Sequence, residues 1–150
     1  MKHYIQGIKW TFCDSTSTYP DVPNEKIIIR SPEDVFKNFQ SLFRDHVSER
    51  FVVLWLSASN RVTGFEVVTE GTLTASLVHP REVFRSAIVA TCASIIVAHN
   101  HPSGNPEPSR EDLDITRQIV ESGKIIGIPV YDHILFAQDT FTSFAKRGLL

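Results

Sequence analysis

Residues 51–58, FVVLWLSA, form an almost continuously apolar run rich in β-forming side chains. Successive side chains of a strand point to opposite faces, so a strand without a polar side is one covered on both faces. The flanking segments supply the cover. Ser31 as N-cap, Pro32 at the first helical position and Glu33 and Asp34 in the first turn open a helix. Its apolar stripe is Val35, Phe36, Phe39, Leu42 and Phe43. Ser59-Asn60 reads as a turn into a strand over 61–69, and a third strand is expected over 71–78. Pro80 opens a helix through about Thr91, and 93–101 reads as a strand. After the proline-bearing loop PSGNPEP comes a helix over 109–122, expected to stop at Gly123. A last strand over 128–137 and a short helix from about Thr140 close the pattern. This alternation predicts an α/β arrangement of the α+β type, a single mixed β-sheet flanked by helices. Residues 1–30 read as a partly irregular N-terminal extension, with short strands possible at 3–12 and 27–29, and 31–150 as one domain.

Bulk properties exclude several classes of function. Fifteen Lys and Arg against seventeen Asp and Glu leave a net charge of −2, so no basic field points to nucleic acid or an anionic membrane. The apolar run 87–98 is twelve residues long, where a membrane span needs about twenty. No apolar stretch of signal-peptide type follows Lys2. Cys13 and Cys92 form no C-x-x-C pattern, and Cys92, within its apolar run, reads as a buried inert thiol. A reducing, cytoplasmic setting is expected.

Chemistry concentrates in 95–112, IIVAHNHPSGNPEPSRED. Strand periodicity projects His99 and His101 to one face and Asn100 to the other. Two imidazoles on one face at a strand end are a natural pair of ligands for a first-row metal ion. Asp112, on the first turn of the following helix, can face the same strand end, where the helix dipole favours its anionic form. Ser109 and Asp112 also fit a plain capping box, S-x-x-D, with no further role. The longer histidine pattern of metallo-β-lactamases is absent, because Ser103-Gly104 occupies the positions where its Asp and His would stand.

The composite H-x-H-x7-S-x2-D, carried by His99, His101, Ser109 and Asp112, resembles the JAMM (MPN+) metalloprotease motif at all four positions. The segments VHPREVFRSAI and AHNHPSGNPEPSREDLDITRQIVESGKIIGIPVYDHILFA resemble the RadC branch in particular. The resemblance implies a JAB/MPN domain over 31–150, of cytidine-deaminase-like architecture. It implies a zinc ion held by His99, His101 and Asp112 with the fourth position left to water, and a Ser109 that supports the tetrahedral intermediate. The general base of such sites is a glutamate that opens a strand followed by a hairpin partner, a helix and the H-x-H strand. Glu49 stands in that place. Glu66 or Glu70 could approach instead if the hairpin register differs by one, and Glu82 reads as an ordinary helix-first-turn acid. His133, within DHILF, falls near the site, although a structural histidine is the simpler reading. Asn100 is expected to tie the strand end to the loop, and Arg81, Arg85, Arg110 and Arg117 to lie on solvated faces.

The implied activity is hydrolysis of a peptide or isopeptide bond in a protein or peptide substrate. A reading from another class is a non-catalytic MPN-like binding module that assists DNA repair or a protein complex. RadC proteins carry an N-terminal helix-hairpin-helix piece, and residues 1–30 show no such pattern, so strong direct DNA binding is not expected.

Overall fold

The computed structural model describes residues 11–12, 19, 22, 26–44, 47–71 and 78–150. Its framework is a five-stranded mixed sheet built from β1 (Glu49–Leu56), β2 (Val62–Gly71), β3 (Ser94–Asn100), β4 (Val130–Ala137) and β5 (Thr140–Ser143). The spatial order is β2-β1-β3-β4-β5. Only β3 and β4 run parallel, as their connection through a helix requires; the other neighbours are antiparallel. Among the described residues three α-helices cover the sheet: α1 (Pro32–Phe39), α2 (Pro80–Val89) and α3 (Arg110–Ile126).

The apolar run of β1 is buried on both sides, as its composition requires. Val52, Leu54 and Leu56, with Ile96 and Ala98 of β3, pack against Val35 and Phe39 of α1. Phe51, Val53 and Trp55, with Ile95 and Val97, pack against Val83 and Phe84 of α2 and Ile115 and Ile119 of α3. Ile27 and Ile29 belong to the α1-side core, and Ile28 makes a single bridge to Arg61. All seven residues of β3 are buried, which carries His99 into the interior at 1% exposure.

Three expectations need correction. Gly123 does not end α3, which continues to Ile126 and is capped by Gly127 at φ 82°. Gly123 is instead a close-packing position, since a Cβ there would lie 2.6 Å from the carbonyl oxygen of Ile128 and 3.1 Å from the Phe84 ring. Residues 140–143 form an edge strand rather than a helix. They fold back on β4 through a turn in which Gln138 takes φ 52°, and Phe141 then stacks on Phe36 at 5.0 Å. Cys92 is half-buried rather than buried, although burial still raises its thiol pKa. Of two further expected strands, 72–77 of the third and nearly all of 3–12 lie outside the described residues. Cys13 does too. Among the described residues no helix is long and apolar enough to cross a membrane.

Candidate metal centre

Alternation along β3 sends His99 to the face under α2 and α3, with His101 beyond the strand end on the same side. The loop after them turns back at once: the Gly104 amide donates to the His101 carbonyl at 2.9 Å, with Gly104 at φ 78°. The left-handed backbone favours glycine here; a side chain would also meet the end of Gln138 at 2.8 Å, but that flexible side chain can move aside. The loop is held from β5 by Thr142 Oγ1, which donates to the Pro106 carbonyl at 2.7 Å. It delivers Ser109 as the N-cap of α3. Ser109 Oγ accepts from the Asp112 amide at 3.1 Å, and the Ser109 amide donates to Asp112 Oδ2 at 2.7 Å. The capping box is therefore formed, and it aims Asp112 as well as closing the helix. The same carboxylate meets both histidines.

Asp112 Oδ1 lies 3.1 Å from His99 Nε2, and Asp112 Oδ2 lies 3.2 Å from His101 Nε2. The two Nε2 atoms are 3.3 Å apart. Among the described residues these three side chains form the one group of this kind able to hold a metal ion. The separations fit such an ion: tetrahedral ligands at ~2.0–2.1 Å from zinc stand ~3.3–3.4 Å from one another. His101 Nδ1 is 2.9 Å from the Asn105 carbonyl oxygen. A carbonyl only accepts, so Nδ1 carries the proton and Nε2 is left to bind a cation, whether a proton or a metal ion.

The electrostatics agree. The Asp112 carboxylate beside it raises the His101 pKa above the ordinary histidine value, against an opposing effect of burial. Burial works to raise the Asp112 pKa, but the contacts with His101 and His99 outweigh it and hold the carboxyl well below the usual range.

His133 lies behind His99, fully buried, with its Nε2 2.7 Å from His99 Nδ1 and its Nδ1 2.6 Å from Thr116 Oγ1. Burial, followed by the neighbouring His99, pushes the His133 pKa well below the ordinary value, which leaves the ring neutral. Phe144 stacks on it at 4.4 Å and Phe51 meets it edge-on at 5.5 Å. Thr116 was not singled out in the sequence. It lies four residues after Asp112, one turn on along the same helix face, and that spacing is the signal that could have found it.

A cleft of about 630 Å³ opens beside two of the three donors, His101 and Asp112, and is also lined by Glu49, Phe51, Ser109 and Glu107 among others. Glu49 enters it by register. Phe51 pairs with His99 across β1 and β3, so two residues back along β1 Glu49 comes level with His101, and its charge acts on that ring. The other glutamates weighed from the sequence are engaged elsewhere. Glu70 pairs with Arg50 at 2.9 Å, and Glu66 and Glu82 pair with Arg85 at 3.1 and 3.3 Å. Arg85 and Arg81 are thus in surface ion pairs, as is Arg117 with Asp114. Asn100 does tie down the strand end, but to β1 rather than to the loop, accepting from the Arg50 amide at 2.7 Å and donating to the Ser48 carbonyl at 3.2 Å.

The family model described as RadC-like JAB domain matches residues 29–149. A UPF0758 protein of Symbiobacterium thermophilum is 51% identical over 129 residues, covering 85% of this chain and 55% of its own length. One from Geotalea uraniireducens is 48% identical over 120 residues, covering 80% and 53%. One from Methanosarcina mazei is 43% identical over 133 residues, covering 89% and 57%. The chain thus spans about half the length of the curated relatives it matches, and their shared name states no activity.

Proposed function

This chain belongs to the RadC-like JAB domain family, and from that premise we propose that it is a zinc-dependent hydrolase of peptide or isopeptide bonds in protein substrates. The observation that carries the reading is the convergence of His99, His101 and Asp112 at 3.1–3.3 Å, at the edge of a cleft that also holds a carboxylate and a hydroxyl. Zinc, when bound, supplies Lewis acidity: it makes a water nucleophilic near neutral pH and polarises a carbonyl.

The chain's own residues do the remaining work. Glu49 is the general base. Its carboxylate takes a proton from the attacking water, holds it while the new C–O bond forms, and returns it to the nitrogen as the C–N bond breaks. Ser109 is the oxyanion donor. Its Oγ accepts a hydrogen bond from the Asp112 amide, which leaves its O–H free to donate a hydrogen bond to the carbonyl oxygen as that atom gains charge. The α3 N-terminus adds a positive dipole end on the same side. Net charge −2 gives no reason to expect strong direct DNA binding.

Glu49→Gln tests the assignment. The variant should keep its zinc and lose ~10²–10⁴ in turnover on a substrate identified from peptide and isopeptide libraries. Turnover equal to wild type would remove Glu49 from the mechanism. Zinc-loaded wild-type protein that cleaves no library member would favour the binding-module reading.

A further inference from the structure

We propose that Thr116 sets the ring tautomer of His99 through His133, and so readies His99 Nε2 as a metal donor. The proposal rests on the metal-centre reading above and assigns roles to two residues outside the ligand set.

The argument follows a single line of protons. Thr116 Oγ1 is 2.5 Å from the main-chain oxygen of Asp112 and 2.6 Å from His133 Nδ1. A carbonyl oxygen has no proton to give, and two oxygens this close require one between them. The hydroxyl proton therefore points at Asp112, and the hydroxyl oxygen can only accept from His133. His133 Nδ1 consequently carries a proton, and full burial disfavours a second, charge-bearing proton on the same ring. Its Nε2 is a bare lone pair, 2.7 Å from His99 Nδ1, and must accept. His99 then carries its own proton on Nδ1, which leaves Nε2 bare. That atom faces Asp112 Oδ1 at 3.1 Å and His101 Nε2 at 3.3 Å.

Burial makes the assignment binding. Thr116, His133 and His99 are 1%, 0% and 1% exposed, so no bulk water can satisfy a proton placed on the wrong nitrogen. Packing alone does not account for His133: an apolar ring would fill the same slot between Phe51 and Phe144. His101 reaches the same tautomer by a simpler device, donating from Nδ1 to the Asn105 carbonyl. The two histidines are thus fixed alike by unrelated acceptors. Outer partners that orient metal-binding histidines in this way typically contribute 10–100-fold to metal affinity. Thr116 and His133 are positioning residues, touching neither substrate nor ion.

The test combines long-range proton–nitrogen NMR with zinc titration of the full chain. Spectra are taken on metal-free protein at a pH where the site imidazoles are neutral. In the wild type, both His99 and His133 should be protonated on Nδ1; a proton on His99 Nε2 overturns the proposal from this spectrum alone, whatever the variants do. In Thr116→Val the acceptor for His133 Nδ1 is gone, and both rings should move their protons to Nε2, with zinc affinity falling ~10–100-fold. Thr116→Ser restores the hydroxyl and should restore both tautomers and affinity. A Thr116→Val protein with unchanged tautomers and unchanged affinity overturns the proposal while the metal centre stands. Wild-type protein that takes up no zinc overturns the metal-centre reading and, with it, the role assigned to Thr116.

Discussion

Adjacent residues of β4, Asp132 and His133, point to opposite faces of the sheet and enter two different polar clusters. On the α1 face, Asp132 Oδ1 accepts from the His133 and Ala145 amides at 2.7 and 2.9 Å, and Oδ2 accepts from Ser143 Oγ at 2.6 Å. Donors match acceptors there, and the cluster pins the segment after β5. On the other face, Nε2 of His101, Nε2 of His99 and the Asp112 carboxylate converge, and with the imidazoles neutral there are too few protons to go round. Both clusters are polar groups in largely apolar surroundings, where unmatched groups are costly. The contrast separates their roles: a cluster whose donors and acceptors balance is structural, and one with an excess of acceptors calls for a cation.

Replacing each of the two aspartates in turn should expose this contrast most visibly. Asp132→Ala leaves two amides and a hydroxyl without their acceptor and should lower unfolding free energy by ~3 kcal/mol or more. Denaturant titration checks this, and zinc content of the surviving folded protein should be unchanged. Asp112→Ala should do the reverse, abolishing zinc binding while costing only about 1 kcal/mol from the lost capping hydrogen bond, when both proteins are compared metal-free at a pH above the folded-state pKa of His101. Equal stability losses in the two variants would contradict the comparison.

Ser109→Ala sharpens it further, because Ser109 belongs both to the helix cap and to the cleft. The lost cap should cost about 1 kcal/mol in denaturant titration. Loss of the oxyanion donor should lower turnover ~10²–10³-fold with zinc retained. A variant destabilised by that amount yet fully active would reduce Ser109 to its cap.

The smallest effect expected is one of sign with pH. The folded-state pKa of His101 is raised. In metal-free protein its contribution to stability is therefore complete below the unfolded value of ~6.5 and is lost as pH rises through the folded value. Zinc must displace that proton, so its affinity should move the other way, weakening by up to about tenfold per pH unit below the folded value. Zinc titrations at several pH values, beside denaturation of the metal-free protein, check both signs.

Much of the fold could be read from apolar patterning. The runs in β1 and β3 demanded cover on both faces, and α1 carried its start signals at Ser31 and Pro32. Features decided by tertiary contact were harder to read. Gly123 looks like a helix stop locally, but its lack of a side chain serves the approach of Ile128 and Phe84 to α3. The four residues of β5 are too few for a reliable period, and only pairing with β4 makes them a strand. In the site, spacing on one strand and one helix turn made His99, His101 and Asp112 candidates to meet, as they do, whereas the part given to Ser109 comes from the resemblance. Glu49 follows from the order of elements that the resemblance implies, and the β1–β3 register then brings it level with His101; Thr116 needed the position of His133, which no local pattern contains.

Elemental analysis of protein purified without chelator, beside His99→Ala and Asp112→Ala, tests the central claim most directly. One zinc per chain in the wild type, lost in both folded variants, is the predicted result. Wild-type protein that holds no metal after zinc is supplied would contradict it, and would leave Ser109 and Asp112 as a helix cap beside two histidines.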